Sequence, residues 1–231
     1  MAAERLWRLD PCFLCYAPPE ELGIEVRARR DGPIRFGSFN AAVKFNDLLF
    51  ALWARVLAAC PGSELVLKAM ALGDSTMRAD VLRRLASHGV DESRVRILES
   101  PVAIADHLRT YEQVDIALDT FPYNGTTTTF EALWMGVPVV TLAGNMHPGR
   151  VGASLLTALG MPELTAKNED DYIRIAAELA ADVQRLAGLR RSLRERLISS
   201  SLCDGAAFGA RFTGALRAMW LDWCAKQQVP A

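Results

Sequence analysis

From residue 34 onward the chain alternates short apolar runs of strand length with stretches whose apolar residues recur at helical spacing. Residues 34–39 predict a strand that ends in a Gly/Ser/Asn turn. Leu48, Leu49, Leu52, Val56 and Leu57 share one side of a helix that runs to about residue 59. Asn46 or Asp47 caps it, and Pro61-Gly62 ends it. Residues 65–67 are the next strand. Ser75 caps a helix through about residue 85, closed by Gly89. Then come a strand at 95–98, a short helix at 104–111, a strand at 114–119, a helix at about 128–135 and a strand at 137–141. After that the pattern predicts helices only: about 150–159, 170–181, 183–199 and 206–225.

Strands that alternate with helices imply parallel βαβ units with right-handed crossovers. Near-continuous apolar strands such as 137–141 fit a sheet covered on both faces. The expected fold is therefore α/β: a doubly wound parallel sheet from about 34 to 160, with extra C-terminal helices packed on it. Pro138 cannot donate to a ladder, so it marks the start of its strand or a sheet edge. Residues 1–33 read differently. Pro11, Pro18, Pro19, Gly23, Gly32 and Pro33 punctuate them, and they predict an irregular lead-in or linker. No 34-residue internal repeat occurs within the chain.

Composition narrows the function classes. Of the 231 residues, 51% are hydrophobic and 23% charged, which is a globular balance. Lys and Arg number 26 against 27 Asp and Glu, so binding nucleic acid through bulk charge is not expected. The longest strongly apolar stretch, residues 137–144, is far short of the roughly 20 residues that a membrane helix needs. The five cysteines, at 12, 15, 60, 203 and 224, form no disulfide framework and point to a reducing cytoplasm.

In an open parallel sheet, ligands bind outside the carboxyl ends of the strands. Three turns there carry candidate chemistry. In Gly37-Ser38-Phe39-Asn40-Ala41-Ala42-Val43-Lys44 the backbone turns tightly, and Lys44 follows as a point charge suited to a phosphate. The spacing is neither a P-loop nor GxGxxG, and a solvated lysine at a helix start is the plain alternative. In Ser100-Pro101-Val102-Ala103, His107 follows on a short helix, where it serves a ligand or only the structure. The third, residues 119–131, is the most informative. A strand ends, Gly125 turns the chain, and Thr126, Thr127, Thr128 and Thr129 open a helix. Threonine suits helix starts, and a helix N-terminus offers unpaired N–H groups to an anion. Glu131, about one turn on, can accept hydrogen bonds from a sugar diol. Thr128 and Glu131 also match a capping box, so a purely local role is open as well.

Other candidates are weaker. Cys12 and Cys15 lack a second ligand pair for zinc, and Pro18-Pro19 denies the helix that a redox motif needs. His147 lies in a Gly/Pro-rich loop. Trp53, Trp134, Trp220 and Trp223 fall at helical positions and are expected in the core. Arg190, Arg191 and Arg194 interleave with leucines as the solvated face of an amphipathic helix.

Taken together, the segments FGSFNAAVKFND, ESPVAIADH, VDIALDTFPYNGTTTTFEALWMGVPVVTLAG, RVGASLLTALGMPELTAKNEDDY and RLISSSLCD resemble the O-linked N-acetylglucosamine transferase family. The likeness is strongest to its bacterial and SPINDLY-like members and covers roughly residues 34–225. The segment RLWRLDPCFLCYAPPE looks like the one that joins the family's two catalytic lobes. The resemblance implies that residues 34–231 form the Rossmann-like C-terminal lobe of a two-lobed GT-B glycosyltransferase. Residues 1–33 would be the lead-in from an N-terminal lobe that this chain does not contain, and tetratricopeptide repeats usually precede the two lobes.

By the same resemblance, the C-terminal lobe holds the nucleotide sugar and the acceptor is a protein Ser or Thr hydroxyl. Lys44 would bind the diphosphate and stand as the catalytic cation. Asn40 would belong to the same site. Thr127 and Thr128 would hold the diphosphate at their helix start, and Glu131 would take the ribose. His107 would lie against the base, with backbone groups of Ala103 reading its edge. The chain departs from the animal enzymes at Ala41, which stands in place of glutamine, at Thr126, in place of histidine, and at Glu131, in place of aspartate. UDP-GlcNAc is the expected donor, with no metal or other cofactor. A fucosyl branch that uses GDP-fucose, and a non-catalytic interaction module working through the cleft or the Trp220/Trp223 helix, are the alternatives. An epimerase of the same fold fits poorly, because it needs two lobes. Neither nucleic acid nor membrane is an expected partner.

Overall fold

The structure, a computed structural model, describes residues 5–227, so the outer ends of both predicted segments, 1–4 and 228–231, lie outside the described residues. Six parallel strands form one sheet in the order β3-β2-β1-β4-β5-β6. They are β1 (Arg35–Ser38), β2 (Glu64–Leu67), β3 (Val95–Ile97), β4 (Ile116–Leu118), β5 (Val139–Leu142) and β6 (Thr165–Ala166). The helices are α1 (Asp47–Ala59), α2 (Ser75–Ser87), α3 (Ile104–Arg109), α4 (Thr127–Trp134), α5 (Val151–Ala158), α6 (Glu169–Ala181), α7 (Val183–Ile198) and α8 (Gly205–Gln227).

Right-handed crossovers place α1 and α2 on one face and α4 and α5 on the other. Both faces are therefore covered, and every residue of β1 and β5 is buried. β1 pairs with β4 in register Phe36 to Ile116 and Gly37 to Ala117. Gly37 is required at this junction: a Cβ there would fall 2.4 Å from Val114 Cγ2. On the α1 side, Trp53 packs edge-on against Phe45 and Phe50 at centroid distances of 5.6 and 6.1 Å. Each such buried side chain contributes about 1.5–3 kcal/mol.

The chain winds outward from β1 to β2 and β3, then returns to the other side of β1 for β4. The strand order thus reverses between β1 and β4, and the carboxyl ends of those two strands flank the crevice where this architecture holds ligands.

Several local expectations change. Asp74, not Ser75, caps α2: its Oδ1 accepts from the Thr76 and Met77 amides at 2.9 Å each. The predicted helix 104–111 becomes α3 followed by a tighter turn at Thr110–Gln113. The region beyond residue 150 is not purely helical, because β6 extends the sheet beside β5. Pro138 lies just ahead of β5, an interior strand, and its carbonyl accepts from Ala117. Trp53 and Trp134 are core residues, whereas Trp220 and Trp223 are 55% and 49% exposed and stack on each other at 5.2 Å. Arg190 is buried, not solvated, and donates to the Val114 carbonyl at 2.9 Å.

The lead-in is irregular apart from a short turn at Glu20–Leu22, but it lies against the lobe. Tyr16 stacks on Phe130 of α4 at 4.6 Å, and its amide donates to Leu202 O. Arg29 and Arg35 meet the buried Asp115 carboxylate at the end of the sheet opposite the crevice.

Candidate functional site

The β1 end turns through Phe39 and Asn40 into a short helical turn, Ala42–Lys44. The β4 end runs through residues 119–126 into α4. These two loops meet at the strand-order reversal. Lys44 Nζ donates to the carbonyl of Asn124 at 2.8 Å and to Asn40 Oδ1 at 3.0 Å. Asn40 Oδ1 also accepts from Thr128 Oγ1 at 3.1 Å, so one buried amide oxygen joins the ammonium to the start of α4. The Tyr123 ring lies 4.5 Å from the same ammonium. Half-burial lowers the Lys44 pKa, partly offset by the field of Asp119.

The β4 loop is held from within. Asp119 Oδ1 accepts from the amides of Gly125 at 2.6 Å and Thr120 at 2.9 Å, and Oδ2 accepts from Thr141 Oγ1 at 2.7 Å. Burial nonetheless raises the Asp119 pKa to about 6. Asn124, also buried, donates to Thr120 O and accepts from the Gly152 amide. Asn46 ties the loop to α1 by donating to Phe121 O at 2.8 Å.

This scaffold presents the first turn of α4 outward. No side chain caps that helix start, so the amides of Thr127 and Thr128 stay open to a ligand. Thr127 is exposed and Thr128 half-buried. The capping-box alternative is not realised, because Glu131 points elsewhere. Its Oε2 meets His107 Nε2 at 2.9 Å and the Tyr111 hydroxyl at 3.0 Å. Lys44 is held by these contacts rather than solvated, and His107 is held on both ring nitrogens by side chains of the protein.

Asn40, Lys44, Thr127 and Thr128 thus form one cluster, and His107 with Glu131 forms a second about one helical turn along α4. Ala103 sits on the exposed rim that precedes α3, where its carbonyl accepts from the His107 amide at 2.9 Å. Beside Tyr123 opens a largely apolar cavity of about 210 Å³, lined by Phe121, Pro122, Tyr123, Met146 and Pro148 among others. His147 lies on the adjoining loop against Phe13, with centroids 5.0 Å apart. Asp119, Asn124, Tyr111 and Lys68 belong to the site and escaped sequence reasoning. Only Asp119 carried a signal, as the polar residue that ends the β4 run. Among the described residues, no group of three or more His, Cys, Asp or Glu is placed to hold a metal ion, and no helix is long and apolar enough to cross a membrane.

Glycosyl transferase family 41 matches residues 20–212, which include every residue of this crevice. The chain belongs to that family. Among family 41 relatives, an Arabidopsis thaliana protein described as a probable UDP-N-acetylglucosamine–peptide N-acetylglucosaminyltransferase SPINDLY is 44% identical over 99% of this chain and 25% of its own length. A Hordeum vulgare protein of the same description is 45% identical over 96% of this chain and 24% of its own length. A solved structure of a Thermobaculum terrenum O-GlcNAc transferase mutant superposes with a TM-score of 0.87 at 42% identity, covering 97% of this chain and 42% of that one. The chain therefore spans about a quarter of the length of these curated relatives. The fold is that of the Rossmann-like C-terminal lobe of a GT-B glycosyltransferase.

Proposed function

We propose that this lobe is the donor-binding half of a protein O-glycosyltransferase that moves N-acetylglucosamine from UDP-GlcNAc to Ser or Thr side chains and requires an N-terminal lobe for full activity. One observation carries the reading. An ammonium and an uncapped helix start face the same crevice at the strand-order reversal, tied together by Asn40. A pyrophosphate laid there meets the Lys44 charge, the Thr127 and Thr128 amides and their hydroxyls. The helix dipole adds to the attraction.

The mechanism follows from where charge develops. As the sugar leaves, negative charge accumulates on the terminal phosphate of the nucleoside diphosphate. Preorganised donors aimed at that oxygen lower the barrier, each by about 2.7–4 kcal/mol. Lys44 and the α4 start supply such donors, so no metal is required in this reading. In this reading Glu131, about one helical turn along α4, takes the vicinal hydroxyls of the ribose, with His107 and Ala103 toward the base. The SPINDLY relatives, described as probable UDP-N-acetylglucosamine–peptide N-acetylglucosaminyltransferases, support UDP-GlcNAc as the donor. This reading assigns the acceptor side, and any tetratricopeptide repeats, to segments outside this chain, which spans about a quarter of those relatives.

The GDP-fucose reading shares the same diphosphate grip and differs only at sugar and base. Calorimetric titration with UDP-GlcNAc, UDP, GDP-fucose and GDP separates the two. Tighter binding of the uridine pair is expected; tighter binding of the guanosine pair transfers the assignment to fucosyl transfer, and binding of neither contradicts the reading.

A further inference from the structure

Behind His107 lies a lysine that the diphosphate grip leaves unused. Lys68 directly follows β2 and is 2% exposed. Its Nζ contacts Thr110 Oγ1 at 2.6 Å, His107 Nδ1 at 2.9 Å and the His107 carbonyl at 3.2 Å, and it rests 4.3 Å from the centre of the Phe39 ring. Burial lowers its pKa to about 8, against the favourable field of Glu131, so the ammonium form still dominates at neutral pH.

An ammonium has three donors and no acceptor. All three of these partners must therefore accept. The Thr110 hydroxyl can do so because its own proton goes to the His107 carbonyl at 2.5 Å. The same logic leaves His107 Nδ1 bare. The ring proton is then on Nε2, directed at Glu131 Oε2. Tyr111 donates to that same oxygen, so Oε2 receives two donors while Oε1 receives none from the described residues.

We propose that Lys68 is a positioning residue: it locks His107 in the Nε2–H tautomer and so turns the Oε1 edge of Glu131 toward the sugar hydroxyls of a bound nucleotide. The aiming step rests on the nucleotide-binding reading above. The lock itself does not, since it is set by contacts among the protein's own side chains. Lys68 is buried behind His107. It acts through His107, as outer partners that fix a ring's tautomer act through the group they orient.

The test begins with the wild-type 231-residue chain, nitrogen-15 labelled, at pH 6.8 and without ligand. Long-range proton–nitrogen correlation, with His107 assigned through His107→Gln, reads which ring nitrogen carries the proton. A protonated Nε2 and a bare Nδ1 are expected; a protonated Nδ1 overturns the proposal, even if no Lys68 variant folds. Lys68→Met should then abolish the tautomer preference and weaken UDP or GDP binding roughly 10-fold, with inorganic pyrophosphate binding unchanged. In the His107→Gln background, Lys68→Met should add no further loss. Equal weakening of pyrophosphate and nucleotide, or an unchanged tautomer with unchanged affinity, refutes the role. A wild type that binds pyrophosphate but no nucleotide sinks the nucleotide reading and the aiming step, while the tautomer result still decides the lock.

Discussion

Asp119 offers a prediction whose size comes from the structure. Its carboxyl is 3% exposed and organises the turn that leads into α4. Three donors favour its charged form, yet burial outweighs them and lifts the pKa from 3.8 to about 6. The folded chain therefore binds more protons than the unfolded chain between those two values. Stability falls as pH rises through that window. At about 1.4 kcal/mol for each pH unit, the loss amounts to roughly 3 kcal/mol, complete by about pH 7. Asp119→Asn removes the titration and keeps an acceptor for the Gly125 and Thr120 amides, while the Thr141 hydroxyl can rotate to accept from the new amide group. Urea unfolding of both proteins at pH 4, 5, 6 and 7 reads the difference. The variant should gain roughly 2 kcal/mol relative to wild type between pH 4 and pH 7, the rest of the change lying below pH 4. A stability difference that stays constant across this range, or that moves the other way, refutes the assignment of a destabilising buried charge.

Two substitutions of glycine test other joints. Gly125→Ala would bring a Cβ to 2.4 Å from Thr128 Oγ1 and 3.0 Å from Asn40 Oδ1, which breaks the bridge between Lys44 and α4. Pyrophosphate affinity measured by calorimetry should fall at least about tenfold, the effect of one lost hydrogen bond to a charged group. Gly136→Ala is a stability test remote from the ligand. Gly136 has φ 73°, and a Cβ there would lie 2.5 Å from the Arg190 carbonyl. Strain and overpacking together should cost roughly 2–5 kcal/mol in urea unfolding, with nucleotide affinity of the folded fraction unchanged.

Much of the fold was legible because the strands β1 to β5 are apolar runs separated by helices of ordinary length. β6 was not, since two residues carry no periodicity and Thr165 is pinned by pairing with Thr141. Trp220 and Trp223 were misplaced because aromatic residues at helical spacing look the same whether or not a second element covers them. In the site, the Thr-rich stretch marks the start of α4 through composition alone, and the structure leaves that start without a side-chain cap. Lys68 did not announce itself. It ends an apolar strand with no turn signal after it, and its role depends on His107, 39 residues away. Glu131, by its position one turn into the helix, fits both a sugar-binding carboxylate and a cap. Its actual partners, His107 and Tyr111, come from the β3–β4 connection and could be seen only once the sheet order was known. Arg190 was assigned to solvent by its neighbours in sequence, but the helix rotates it onto the Val114 carbonyl.

In the proposed site Lys44 and the open amides of α4 jointly hold a pyrophosphate, and titration of Lys44→Ala measures that grip. UDP and uridine are titrated in parallel into wild type and variant. Loss of a charged hydrogen-bond donor is worth about 1.5–3 kcal/mol, so UDP should bind roughly 10- to 150-fold more weakly while uridine binds as before. Unchanged UDP affinity, or an equal loss for uridine and UDP, would contradict it.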